Sequence, residues 1–140
     1  MNKFWLTLLI LIIGVNGLFS QVTEIEYHDW PYTCSFKSES GKIFINSIED
    51  YKEVTNCSLQ NYYKFENNTI IGIQGAVGGC SLPTVDFNVY KDDVRKEYII
   101  EAIIISYGNC KRNNMYKRII YVDSLNDNYK VIFKKLKYSR

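Results

Sequence analysis

Glu97-Tyr98-Ile99-Ile100-Glu101-Ala102-Ile103-Ile104-Ile105-Ser106 is the stretch on which the fold turns. β-branched side chains suit a pleated strand, and apolar residues at both parities point to a strand deep in a sheet. This segment is therefore expected to sit centrally. Before it, Val85, Phe87 and Val89 alternate with Asp86, Asn88 and Tyr90, the pattern of a half-buried strand, and Lys91 to Lys96 reads as a polar turn. After it, Ser106 to Asn114 reads as a loop, Tyr116 to Asp123 as a strand, Leu125 to Asn128 as a turn and Tyr129 to Leu136 as the last strand.

Further out, Lys42 to Asn46 and Thr69 to Gln74 read as strands. Ser47 has the chemistry of a helix N-cap, with Glu49 and Asp50 placed to complement the dipole of a short helix. Ile48, Tyr51 and Val54 share one face of that helix, which should end near Asn56. Gln21 to Ser40 reads as an irregular lead-in. The expectation is an α+β domain over residues 41–138, with a single antiparallel β-sheet of about five to six strands and one short helix packed on it.

Residues 1–20 have the layout of a signal peptide. Lys3 gives a positive start, Phe4 to Val15 is almost unbroken apolar, and Asn16 to Ser20 is small and polar. The run is too short to span a bilayer comfortably, so no stable membrane span is expected after cleavage. No cysteine stands at the cleavage point, so a lipid anchor is not indicated. The chain is expected to be secreted or periplasmic.

Export decides how Cys34, Cys57, Cys80 and Cys110 are read. An even number in an oxidising compartment favours disulfides. There is no C-x-x-C spacing and a single histidine, His28, so neither a metal site nor a cofactor is expected. Among the possible pairings, Cys34–Cys57 and Cys80–Cys110 are favoured because each closes a compact segment. If the strands at Val85 and Glu97 form a hairpin, Cys80 and Cys110 lie at one end of the sheet. That end, with Gly78, Gly79, Tyr107, Lys111 and Arg112, is the candidate set of binding loops. A bridge holding loops for stability alone would have the same sequence.

Formal net charge is +2, but its distribution is uneven. From Lys111 onward stand Lys111, Arg112, Lys117, Arg118, Lys130, Lys134, Lys135, Lys137 and Arg140, against only Asp123 and Asp127. Such asymmetry can form a basic face for an anionic partner; lysines on an edge strand also discourage sheet-to-sheet association. No nucleic-acid motif accompanies the charge, so nucleic acid is not an expected partner.

Catalytic signals are sparse. His28 lies in the lead-in, away from any paired nucleophile, and oxidised cysteines are not nucleophiles. The glycines Gly72, Gly75, Gly78 and Gly79 lack the lysine and hydroxyl of a phosphate loop. Asn56-Cys57-Ser58 and Asn67-Asn68-Thr69 match the N-glycosylation acceptor pattern. The chain is not expected to be an enzyme.

Ile43-Phe44-Ile45-Asn46-Ser47 leading into a short acidic helix, then Thr69-Ile70-Ile71-Gly72, then a sheet ending in an apolar strand, form an order of elements. In that order the chain from Gly41 to Leu136 resembles small exported bacterial proteins similar to the C-terminal domain of the protease-complex subunit PrcB. Gly78-Gly79-Cys80-x-x-Pro83 and Gly108-x-Cys110 look like a disulfide-bearing branch of such proteins. The resemblance implies a role in binding and supporting a partner protease. The expected function is that of a secreted, non-catalytic binding or partner-stabilising domain, its partner another exported protein. The alternatives are a small secreted hydrolase or protease inhibitor, and a binder of anionic surface polymer through the basic C-terminal strands.

Overall fold

The computed structural model describes residues 21–140, so the expected leader at 1–20 lies outside the described residues. In chain order these form β1 (Val22–Glu24), β2 (His28–Asp29), β3 (Lys42–Ile45), α1 (Ile48–Val54), α2 (Leu59–Tyr63), β4 (Asn68–Gly78), β5 (Thr84–Asp92), β6 (Glu97–Ser106), β7 (Asn113–Asp123) and β8 (Lys130–Ser139). The strands make two four-stranded sheets, ordered β1-β5-β6-β8 and β2-β7-β4-β3.

This corrects the expected α+β domain with a single antiparallel sheet and one helix. The described residues are mostly β, in two sheets, with two short helices. The physical reason is a crossing that period-two patterning does not encode. β7 leaves β6 for the other sheet and pairs with β4 from Asn68↔Asp123 to Gly78↔Asn113. β8 then returns to pair with β6, in parallel, from Glu97↔Lys130 to Ser106↔Ser139. Leu125 in the connection is buried in the core, with its N–H donated to Thr69 Oγ1 at 3.0 Å.

The sheets pack face to face. Phe87 and Val89 of β5 with Tyr98, Ile100, Ala102 and Ile104 of β6 meet Ile71 and Ile73 of β4 and Ile120 and Val122 of β7 in one buried cluster. β6 is central in its sheet, as expected, but its two faces differ. Even positions are buried in the core, while Ile99, Ile103 and Ile105 lie half-buried on the outer face.

The sheet containing β4 is covered on its outer face too. Ile43, Ile45, Ile70 and Ile119 form a second buried cluster with Trp30, Phe36, Tyr51 and Tyr62. α1 has seven residues, too short to be stable alone, and its fully buried Tyr51 ties it to this cluster. Ser47 caps it as expected, its Oγ accepting from the Asp50 N–H at 3.1 Å. The segment expected as an irregular lead-in contributes β1, paired with β5, and β2, paired with β7. Trp30 and Phe36 from the same segment are buried.

Candidate functional site

Both expected disulfides are present, Cys34–Cys57 and Cys80–Cys110. They point to an oxidising compartment, extracellular or periplasmic. No helix among the described residues is long and apolar enough to cross a membrane.

Cys34–Cys57 fastens the N-terminal segment to the junction between α1 and α2. Cys80–Cys110 closes the end of the sandwich where β4 and β6 finish and β7 begins. Gly78, Gly79, Tyr107, Lys111 and Arg112 are brought together there. Gly79 N–H donates to the Arg112 carbonyl at 3.2 Å, Cys80 N–H to the Tyr107 carbonyl at 2.6 Å, and Asn114 Nδ2 to the Gly79 carbonyl at 2.9 Å. Gly108 has φ +75°, and a Cβ there would lie 2.4 Å from Cys80 Sγ, so a side chain is excluded beside the bridge. The backbone of these loops is thus occupied in holding the end closed, while Lys111 and Arg112 are exposed.

Beside this end a groove of about 610 Å³ opens along the margin where β8 overhangs β4. It exists because β3 begins late. Lys42 pairs with Ile73, so past Gln74 β4 runs on without a paired strand on that side. The loop before β3 turns at Gly41, φ +73°, where a Cβ would stand 2.4 Å from the Gln74 carbonyl oxygen. Its carbonyl receives the Gln74 N–H at 2.8 Å.

Three lysines line the groove: Lys117 from β7, and Lys135 and Lys137 from β8. Lys117 is held in place, donating to the Cys34 carbonyl at 2.6 Å with its ammonium 5.4 Å from the Phe36 ring centroid. Lys135 and Lys137 belong to the inward-facing parity of β8, continuing from Val131 and Phe133, which pack on the core. Past Phe133 that parity changes from apolar to cationic. Neither lysine has an ion-pair partner among the described residues, whereas Lys134, on the opposite face, reaches Glu101 at 3.3 Å. Glu39 is the one acidic residue on the groove wall. Side chains two apart on a strand stand about 6.6 Å apart, and two such ammonium groups repel by roughly 0.6 kcal/mol in water. The open strand bears this easily, and a bound anion would reverse it.

β8 also has a free edge. Lys130 N–H donates to the Lys96 carbonyl and Arg140 N–H to the Ser106 carbonyl, while the Tyr138 carbonyl accepts from Ser106 Oγ, so even-numbered backbone groups turn toward β6. Odd-numbered groups turn away. Of these, the Phe133 carbonyl takes the Lys42 ammonium at 3.2 Å.

Sequence reasoning missed a second charged cluster, centred on Arg118. Its Nη1 donates to Asp86 Oδ1 at 2.9 Å and to the Val85 carbonyl at 2.6 Å, and its Nε and Nη2 to Asp29 Oδ1 at 3.1 Å. Tyr27 adds its hydroxyl to Asp86 at 2.5 Å, with its ring 5.6 Å from the guanidinium. The Tyr27 bond holds the Asp86 carboxyl below its usual range, and the same bond, with burial, pushes the Tyr27 hydroxyl up. Desolvation is the largest influence on Arg118 and opposes its charge, but the bond to Asp29 and the field of Asp29, Tyr27 and Asp86 together outweigh it and raise its pKa. The cluster seals the stretch of β5 that β1 leaves uncovered and joins the sheets. The signal was available: Arg118 shares its parity with the buried Tyr116 and Ile120.

Comparison with protein-family models, with curated proteins and with solved structures finds no match to this chain.

Proposed function

We propose that this is a non-catalytic binding domain, exported by its leader to act outside the cytoplasm, where it holds an acidic partner in the lysine-lined groove. The observation that carries this reading is the convergence of Lys117, Lys135 and Lys137 on one open groove, with Lys135 and Lys137 lacking any carboxylate partner among the described residues. Lys111 and Arg112 extend the positive field over the adjoining disulfide-closed end. The partner-binding role implied by the PrcB-like resemblance is of the same kind, and the preferred partner is another exported protein.

The test is retention of polyglutamate by the chain purified after export. Binding is expected at ~50 mM salt and should weaken steeply by ~200 mM, as the Debye length shortens. The double variant Lys135→Glu/Lys137→Glu should lose it while keeping the wild-type unfolding free energy to within about 1 kcal/mol, because Lys137 is exposed and the half-buried Lys135 has no ion pair to lose. No retention at low salt, or retention untouched by the double variant, would overturn the reading.

A further inference from the structure

We infer that the partner is recognised as an added strand: an extended acidic peptide segment pairs with the free edge of β8 and lays its carboxylates over Lys135 and Lys137. This rests on the groove reading and makes it specific. Three features of β8 converge on it. Its odd-numbered backbone groups turn away from β6, leaving the N–H and C=O of Lys135 and Lys137 at the edge of the sheet. Strand addition uses such a row for affinity and alternate side chains for specificity.

The side chains of β8 then set what the incoming strand must be. On the groove side stand Lys135 and Lys137, and on the outer side Ile132, Leu136 and Tyr138, in register with Ile99, Ile103 and Ile105. A strand laid alongside presents its own residues to the same two faces. Acidic residues on one face and apolar residues on the other therefore match. Lys134, on the outer face, is already paired with Glu101, so the unmet positive charge lies on the groove side alone.

The same lysines reject the wrong partners. A wholly apolar strand would leave Lys135 and Lys137 crowded without compensation, and a second copy of β8 would set lysine beside lysine. Lys42, bonded to the Phe133 carbonyl, stops indiscriminate pairing further along. The edge is thus closed to aggregation and open to an acidic strand.

The experiment uses the chain purified after export and a blocked peptide of about eight residues, alternating Glu and Val, the length of a typical strand. Two further peptides carry backbone N-methyl groups at alternate residues, one at the Glu positions and one at the Val positions. An oligogalacturonate of equal charge supplies anions without peptide groups. The unmethylated peptide is expected to bind, one methylated version to bind at least about tenfold more weakly, and the other to be retained. Equal binding of both methylated peptides, or oligogalacturonate as good as the peptide, would overturn strand addition and leave the anion-binding groove standing. Failure of peptide, polyglutamate and oligogalacturonate alike at low salt would overturn both readings.

Discussion

Arg118 of β7 and Asp86 of β5 meet at 2.9 Å, an ion pair that links the two sheets at their margin. The partners are not equally exposed: the Arg118 side chain is 28% exposed and that of Asp86 64%. The half-buried guanidinium makes several charge-assisted bonds, so Arg118→Ala should cost about 2–3 kcal/mol. Asp86→Asn keeps much of the hydrogen bonding at an exposed position and should cost under about 1 kcal/mol. Urea unfolding of both variants measures the asymmetry, and equal effects would contradict it.

The Tyr27–Asp86 bond gives stability a pH dependence with two limits. Asp86 has a lowered pKa, so its contribution is present above its ordinary value of 3.8 and is lost as pH falls below that value. Tyr27 has a raised pKa, so its contribution is present below 10.0 and is lost as pH rises through the higher folded value. Tyr27→Phe should flatten the profile of urea midpoint against pH at both ends. A profile unchanged in that variant would show that the bond does not govern either limb.

Gly72 lies between Ile43 and Ile119 in the register of the sheet. A Cβ there would stand 2.3 Å from Ile119 Cδ1 and 3.3 Å from Ile43 Cβ. Gly72→Ala should therefore destabilise by about 1–3 kcal/mol through overpacking. Ile119→Val removes the offending methyl at about 1 kcal/mol when made alone. Together they should cost less than the sum of the single changes, a coupling read by a double-mutant cycle. Strict additivity would refute the steric account.

The Cys80–Cys110 bridge spans 30 residues and Cys34–Cys57 spans 23. Loops of that size constrain the unfolded chain by about 3.5 kcal/mol each. Replacing either pair by alanines should lower stability by a similar amount, measured by equilibrium denaturation. A loss below about 1 kcal/mol for either would show that the reduced chain stays ordered in that region.

Ser47→Ala removes the hydroxyl that accepts from Asp50 N–H and should cost about 1 kcal/mol. Because α1 packs through Tyr51, the loss should appear as faster amide exchange in residues 48–54 before any global change. Unaltered exchange there would mean that packing alone holds the helix.

What could be read from the residues was local. The cap at Ser47, the strands around Val85, Glu97, Tyr116 and Tyr129, and the two cysteine pairings depend on neighbours in sequence or on loop length, and these appear as expected. Partnership between strands was not legible. A strand shows the same alternation whether its neighbour precedes it, follows it or lies in another sheet, so Leu125 to Asn128 read as a plain turn within a single sheet. Leu125 was the one discordant residue, an apolar side chain in an apparent turn, and it is the point where the chain crosses the core. The isoleucines at both parities of β6 implied cover on both faces, whereas one face is half-exposed. The candidate loops at Gly78, Gly79, Tyr107, Lys111 and Arg112 do gather at one end. The groove beside them depends on where β3 begins relative to β4, a matter of register that composition does not carry.

The parallel match of β6 with β8 has a consequence for how the chain is made. β6 is the most isoleucine-rich of the described strands, and the strand that covers its flank is made only after the whole of β7. Until then the nascent molecule carries a bare, adhesive ribbon, and a truncation after residue 129 would carry it permanently. The covering strand is also the one rich in lysine, so the piece that shields β6 brings solubility with it.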